Sequence, residues 1–153
     1  MMYDPLKRAI TYLRISVTDR CNLRCTYCMP EEGIPLVDHS EILTFNEIEE
    51  FTRVAVSNGV NKVRITGGEP LVRKGITELV RRLASIEGIT DLSMTTNGQL
   101  LSQFAEELAK AGLMRINISL DTADPDRYRE ITRGGDINKV FDGIEAAKSA
   151  GLL

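Results

Sequence analysis

Residues 10–30 read ITYLRISVTDRCNLRCTYCMP. Their first part, Ile10 to Val17, carries apolar side chains at alternate positions from Leu13 through Ile15 to Val17, which predicts a β-strand. The loop that follows holds all three cysteines of the 153-residue chain, Cys21, Cys25 and Cys28. Three thiols this close are a typical set of metal ligands, yet most closed metal sites need four. The stretch therefore predicts a metal site directly after the first strand and leaves its fourth ligand open.

The composition is that of an ordinary globular protein and excludes several classes of function. Hydrophobic residues make up 42% and charged residues 27% of the chain. A formal net charge of -3 provides no basic field for nucleic acid or for an anionic membrane surface. The sequence has neither a membrane-span pattern nor a secretory leader, so we expect a cytoplasmic protein. An odd number of clustered cysteines argues against a disulfide framework and for metal or redox chemistry.

Strand patterns alternate with helix patterns along the chain, which is typical of repeated β/α units. The remaining predicted strands are Lys62–Thr66, Leu92–Thr95 and Arg115–Leu120, and the predicted helices lie near Phe45–Asn58, Gly75–Ile86, Ser102–Ala111 and Ile137–Ala150. Asp124-Pro125 predicts a short extra helix through Tyr128. Each of the four main helices ends near a glycine that an apolar residue follows. We expect an α/β fold, an incomplete parallel (β/α) barrel of about four units whose C-terminal edge is open.

The two faces of the predicted strands differ in polarity. Apolar side chains occupy one parity, which should face the helices, whereas the other parity carries Arg14, Arg64, Thr95 and Ser119. Such alternation implies that the second face is wet. We interpret this face as the wall of a ligand cavity, because its polar residues recur toward the carboxyl ends of the strands, where barrel sites lie. The alternative is a two-layer sheet whose polar face simply meets solvent.

Two motifs on this face suggest binding chemistry. Arg14 and Arg64 stand on neighbouring strands, and two guanidinium groups on one wall can clamp a triphosphate. Alternatively, each arginine pairs with a carboxylate such as Asp121 or Glu69. Residues 66–70 read TGGEP. Its glycines permit a close approach of the backbone, and the Glu69 carboxylate suits the amino group of a bound amino acid, although a tight turn with a solvated glutamate has the same pattern.

The cysteine loop itself allows three interpretations. A structural zinc site could take His39, the only histidine, as its fourth ligand. An iron–sulfur cluster could use the three thiolates and leave one iron free for another ligand. The three thiols could also remain unliganded.

The spacing Cys-x3-Cys-x2-Cys, with Tyr27 before the last cysteine, resembles that of the radical S-adenosylmethionine superfamily. Further stretches narrow the resemblance to the molybdenum-cofactor biosynthesis protein A family, the GTP 3′,8-cyclases. They are YLRISVTDRCNLRCTYCMPEEG, HSEILTFNEI, KVRITGGEPLVRKG, MTTNGQLL and RINISLDT. The resemblance covers nearly the whole chain, from about Leu6 to Leu153.

The resemblance implies a set of sites and a reaction. The three cysteines would hold a 4Fe–4S cluster, whose open iron takes S-adenosylmethionine as the fourth ligand. The implied S-adenosylmethionine contacts are Tyr27, Gly68, Glu69 and Ser119, and the implied GTP contacts are Arg14, Arg64 and Thr95. A one-electron reductant would drive formation of a 5′-deoxyadenosyl radical, which abstracts a ribose hydrogen from GTP and leads to (8S)-3′,8-cyclo-7,8-dihydroguanosine 5′-triphosphate. A superfamily enzyme with another substrate, such as a peptide, is the alternative.

The chain also departs from that family. The family proteins are longer and bind a second 4Fe–4S cluster through C-terminal cysteines, and the resemblance implies a homodimer for the full-length form. No cysteine follows Cys28 in this sequence, which therefore does not support the second cluster. We expect residues 1–153 to be the N-terminal part of a radical S-adenosylmethionine core domain that binds cluster and cofactor without full turnover.

Overall fold

The computed structural model describes residues 1–152, apart from the side chain of His39. Its sheet has four parallel strands in the order β1-β2-β3-β4. They are β1 (Tyr12–Ser16), β2 (Lys62–Thr66), β3 (Asp91–Thr96) and β4 (Arg115–Ile118). A parallel sheet that keeps the order of the sequence is the wall of a barrel, whereas a doubly wound sheet reverses its order. The expected partial (β/α) barrel is confirmed.

Within residues 1–152 five α-helices connect and cover the strands. They are α1 (Phe45–Ser57), α2 (Ile76–Ala84), α3 (Leu101–Lys110), α4 (Pro125–Thr132) and α5 (Ile137–Ser149). Single 3-10 turns lie at His39–Glu41 and Pro70–Val72, and the sequence patterns predicted neither. Helix α4 runs beyond Tyr128, its predicted end, to Thr132, and this extra turn brings the end of α4 to the cysteine loop.

Local signals set the ends of the four main helices close to where the sequence patterns predict them. Thr44 and Glu47 form a reciprocal capping box at the start of α1. The glycines after the four main helices, Gly59, Gly88, Gly112 and Gly151, all have positive φ. This left-handed conformation lets the chain leave the helix without a Cβ clash and turn toward the next strand.

The sheet separates a packed side from a polar side, as its alternating sequence predicts. Val63, Ile65, Leu92 and Met94 are fully buried in the core that the sheet forms with α1, α2, α3 and α5. On the opposite parity the side chains of Arg14, Ser16, Asn117 and Ser119 are exposed. Among the residues that the structure describes, none of the helices is both long and apolar enough to cross a bilayer.

Candidate cofactor site

The carboxyl ends of the four strands surround one cavity of about 240 Å³. Because the strands are parallel, the segments that follow them meet at the same edge of the sheet. The cavity is lined by the three cysteines and Tyr27 from the loop after β1, and by residues at the ends of the other strands. The latter are Thr66, Gly67, Gly68, Thr95, Thr96, Asn97 and Ser119. The structure thus brings together the cysteines with Tyr27, Gly68, Thr95 and Ser119 from the predicted sites.

The three cysteines are free thiols on a loop that folds back on itself. Cys28 is exposed, while Cys21 and Cys25 are partly buried. The amide of Cys28 donates to the carbonyl of Cys25 at 2.9 Å, so these two residues lie in one tight turn. Burial raises the pKa of the Cys21 thiol, and burial together with the neighbouring Cys28 raises the pKa of Cys25. A raised pKa favours the protonated thiol. Metal binding favours the thiolate instead, because the metal binds the deprotonated sulfur and the proton is released.

Tyr27 ties the cysteine loop to the end of β4. Its hydroxyl donates a 2.8 Å hydrogen bond to Oδ2 of Asp121, while the side chain remains 63% exposed. Burial of the hydroxyl and this bond to an acceptor both raise the pKa of Tyr27, so the group stays a neutral donor. Tyr27, which lines the cavity, therefore joins the loop after β1 to the segment after β4.

The two glycines of the TGGEP segment allow a close approach between the end of β2 and the cysteine loop. The amide of Gly68 donates to Thr18 O at 2.7 Å, and the amide of Glu69 donates to Arg20 O at 2.8 Å. A Cβ atom on Gly68 would lie 2.4 Å from Arg20 O, and one on Gly67 would lie 2.7 Å from Thr18 O. Any side chain larger than glycine at these positions would thus push the cysteine loop away from the sheet.

Glu69 is buried, with 1% of its surface exposed, and its carboxylate is fully used inside the protein. Oε1 accepts from Thr96 Oγ1 at 2.7 Å and from Leu71 N at 3.0 Å, and Oε2 accepts from Asn97 N at 2.7 Å. Burial raises the pKa of Glu69, and these hydrogen bonds act in the opposite direction. The alternative of a solvated glutamate on a turn is therefore wrong for this residue. Glu69 joins the end of β2 to the end of β3.

Asn97 connects that junction to the cysteine loop. Its Nδ2 donates to Asn22 Oδ1 at 2.8 Å and lies 3.8 Å from Cys21 Sγ, within reach of a hydrogen bond to sulfur. Amide donors to the sulfur ligands are one of the factors that set the potential of an iron–sulfur cluster. The partners of Asn97 lie some 75 residues earlier in the chain, so no local sequence pattern indicates these contacts.

The predicted substrate residues lie on the polar face of the sheet, where Thr95 lines the cavity but Arg14 and Arg64 do not. Arg14 of β1 is in register with Arg64 of β2, which is in register with Ser93 of β3. Arg64 Nε donates to Ser93 Oγ at 3.4 Å, and Thr95 follows two residues later on the same face. In the described part of the chain neither arginine forms an ion pair. Their expected alternative partners are taken, Asp121 by Tyr27 and Glu69 by backbone and hydroxyl donors.

The donor set fits an iron–sulfur cluster. Three free thiols line one cavity, and three thiolates on a four-iron cluster leave one iron open for a further ligand. Within the described residues no group of three His, Cys, Asp or Glu side chains is arranged to hold a single metal ion. The zinc interpretation depends on the His39 side chain, which lies outside the described part of the chain.

Comparison with known proteins places these features in a family. The model of the radical SAM superfamily matches residues 15–153. The GTP 3′,8-cyclases of Alkaliphilus metalliredigens and Heliobacterium modesticaldum are 56% and 60% identical to this chain over 99% of its length. The chain spans about half the length of these relatives, 47% and 46%.

A solved structure supports the same assignment. Streptococcus suis SuiB bound to its precursor peptide SuiA superposes with a TM-score of 0.77 at 25% sequence identity, over 94% of this chain and 32% of that protein. The family model covers nearly all of this chain, from the end of β1 through the cysteine loop and the three later strands. The chain therefore belongs to the radical SAM superfamily.

Proposed function

We propose that this chain forms the cofactor-binding part of a GTP 3′,8-cyclase of molybdenum cofactor biosynthesis. The observation that carries the proposal is that three free thiols line the cavity at the carboxyl ends of the strands, while Arg14 and Arg64 stand side by side on the polar face of the same sheet. Identity of 56% to 60% with cyclases over almost the whole chain supports the same substrate. A peptide is the substrate class suggested by SuiB, whose identity to this chain is only 25%. The cyclase is thus the better-supported alternative.

Within this proposal the cysteine loop binds the cofactors. Cys21, Cys25 and Cys28 hold a 4Fe–4S cluster, and S-adenosylmethionine occupies the cavity beside it against Tyr27, Gly68 and Ser119. Bound together, cluster and S-adenosylmethionine supply one-electron chemistry that removes a hydrogen atom from the substrate. Gly68 lies exposed at the cavity wall, so its backbone is accessible to the amino group of the cofactor.

The remaining residues orient the ligands. The carboxylate of Glu69 already accepts three hydrogen bonds from the protein. Glu69 therefore acts indirectly: it fixes the backbone next to Gly68, which receives the amino group of S-adenosylmethionine. Arg14 and Arg64, which form no ion pair in the described residues, present guanidinium groups to the triphosphate of GTP, and Thr95 offers a hydroxyl on the same face. Arg14 and Arg64 lie closer to the start of the strands than the cysteines do. The nucleoside of GTP would therefore lie between its triphosphate, at the arginines, and the cofactor, at the cysteines.

The experiment is EPR of the anaerobically reconstituted, dithionite-reduced chain, with and without S-adenosylmethionine. We expect a 4Fe–4S signal that changes when S-adenosylmethionine is added, since the open iron gains a ligand. A colourless, EPR-silent sample that contains zinc and loses it in the His39→Ala variant would overturn the proposal in favour of a zinc-stabilised binding module.

The substrate is tested separately by GTP binding to the reconstituted chain. We expect Arg14→Ala and Arg64→Ala to weaken GTP binding by one to two orders of magnitude each, about the effect of losing a charge-assisted hydrogen bond. The effect of S-adenosylmethionine on the EPR signal should persist in both variants. Arg53→Ala, which removes an exposed arginine on α1, is the matched control. Equal GTP affinity in all three variants would argue for another substrate.

A further inference from the structure

Arg133, directly after α4, has an unusual backbone conformation. Its φ and ψ are 52° and 55°, in the left-handed region that glycine adopts far more readily than arginine. Gly134 and Gly135 follow immediately, so glycine is present at this turn but not at its left-handed cap position. Strain of this kind persists where the side chain has a role that a glycine could not fill.

The side chain of Arg133 reaches the cysteine loop. Nη1 donates to Arg24 O at 2.9 Å and to Met29 O at 2.8 Å. These two carbonyls lie on either side of the segment that contains Cys25 and Cys28. A single guanidinium nitrogen therefore joins the two ends of the segment that carries two of the three cluster ligands.

The backbone at the end of α4 completes the connection. The last carbonyls of a helix have no partner within the helix, and here the cysteine loop provides one. The amide of Thr26 donates to Ile131 O at 2.9 Å, and the amide of Arg24 donates to Thr132 O at 3.3 Å. The loop thus gives two donors to the helix end, and Arg133 gives two donors back to the loop.

Close packing also supports the contact between the turn after α4 and the cysteine loop. Leu23, at the base of the loop, is only 7% exposed. A Cβ atom on Gly135 would lie 3.2 Å from Leu23 Cδ2, 2.9 Å from Tyr128 and 2.6 Å from Thr132 Oγ1. The turn after α4 therefore fits under the loop without a gap.

We propose that Arg133 is a positioning residue that holds the segment with Cys25 and Cys28 against α4 before any cluster is present. The inference rests on the proposed function of the loop as a cluster site. An ordered loop lowers the entropic cost of gathering three ligands, so cluster assembly is faster and the assembled site is tighter. The same bonds keep the segment from Arg24 to Met29 close to α4, which lies at the far end of the sheet from β1.

The test uses the Arg133→Gly variant, which relieves the strained backbone while it removes the guanidinium. Hydrogen exchange of the Thr26 and Arg24 amides is measured first, in the cluster-free chain. We expect their exchange to accelerate at least several-fold in Arg133→Gly, with the thermal midpoint of unfolding unchanged.

The rate and extent of iron and sulfide uptake are then followed under anaerobic conditions, and both should fall in this variant. Arg129→Ala, which removes an exposed arginine one turn earlier on α4, is the matched control and should match the wild type.

Wild-type exchange at Thr26 together with wild-type cluster uptake in Arg133→Gly would overturn the inference. If Arg133→Gly lowers the thermal midpoint, Arg133→Lys decides, since its single ammonium can donate to the same two carbonyls. Restored uptake in the lysine variant supports the inference, and a loss as large as in the glycine variant contradicts it. Failure of the wild-type chain itself to take up a cluster would instead contradict the proposed function. The exchange data would still show whether Arg133 holds the segment from Arg24 to Met29 in place.

Discussion

At the scale of single residues, the site depends on buried polar groups whose partners are far apart in the sequence. Glu69 receives hydrogen bonds from Leu71, Thr96 and Asn97, and Asn97 in turn reaches Asn22 and Cys21. The TGGEP motif identified Glu69 as important, but the motif could not show whether its carboxylate points to a ligand or into the protein. The burial of Glu69 decides that question in favour of the protein.

Replacement of Glu69 by glutamine should destabilise the fold. Glutamine keeps one acceptor oxygen but places an NH2 group where the carboxylate now accepts from a backbone amide, so one buried donor loses its partner. We expect a loss of about 1 to 3 kcal/mol in the free energy of unfolding, measured by urea denaturation. Glu87→Gln, at an exposed position, is the control and should change stability by less than about 0.5 kcal/mol. Equal stability of the Glu69→Gln chain and the wild type would show that the three bonds contribute little.

The same carboxyl group should make stability depend on pH. Burial raises the pKa of Glu69 above its ordinary value of 4.5, so the folded state binds the proton more readily than the unfolded state. Its contribution is complete below that ordinary value and is lost as the pH rises through the raised value. The stability advantage of the wild type over Glu69→Gln should therefore shrink as the pH rises from 4.5 toward neutrality. Urea denaturation across this range checks the trend, and an advantage that grows with pH would contradict the direction of the shift.

At the scale of elements, hydrogen bonds between neighbouring residues stabilise the start of α1. The capping box at the start of α1 is complete, with Glu47 N donating to Thr44 Oγ1 at 3.3 Å and Thr44 N donating to Glu47 Oε2 at 2.7 Å. Thr44→Ala removes the cap acceptor and should lower the free energy of unfolding by about 1 kcal/mol. Thr44→Ser keeps the hydroxyl and should stay close to the wild type in the same denaturation experiment. An alanine variant as stable as the serine variant would mean that solvent replaces the cap.

The helix and strand boundaries could be predicted because their causes lie within a few residues. The capping box, the proline at the start of α4 and the glycines after the helices are examples. The polar face with Arg14 and Arg64 also followed from simple alternation along the strands. The contacts that shape the site could not be predicted in this way. Arg133 meets Arg24 and Met29 across more than 100 residues, and only the packing of α4 against the loop brings them together.

At the scale of the whole molecule, cofactor and substrate residues occupy one edge and one face of the same sheet. The packed side of the sheet is covered by helices, so the polar face is the side on which a ligand can lie. In residues 1–152 no strand pairs with the outer side of β4, which leaves a row of backbone donors and acceptors there. Such an edge is a template for pairing with another chain.

We therefore expect the isolated chain to self-associate through β4 as its concentration rises. Sedimentation velocity over a concentration series should show a growing fraction of dimer or larger species. A lysine on an edge strand opposes edge-to-edge pairing, because its charge is brought against a like charge in the partner. Asn117→Lys, at an exposed position of β4, should therefore reduce association, whereas Asn138→Lys, the same change at an exposed position of α5, should not. A compact monomer at every concentration, or equal association by both variants, would show that the edge of β4 is not the contact.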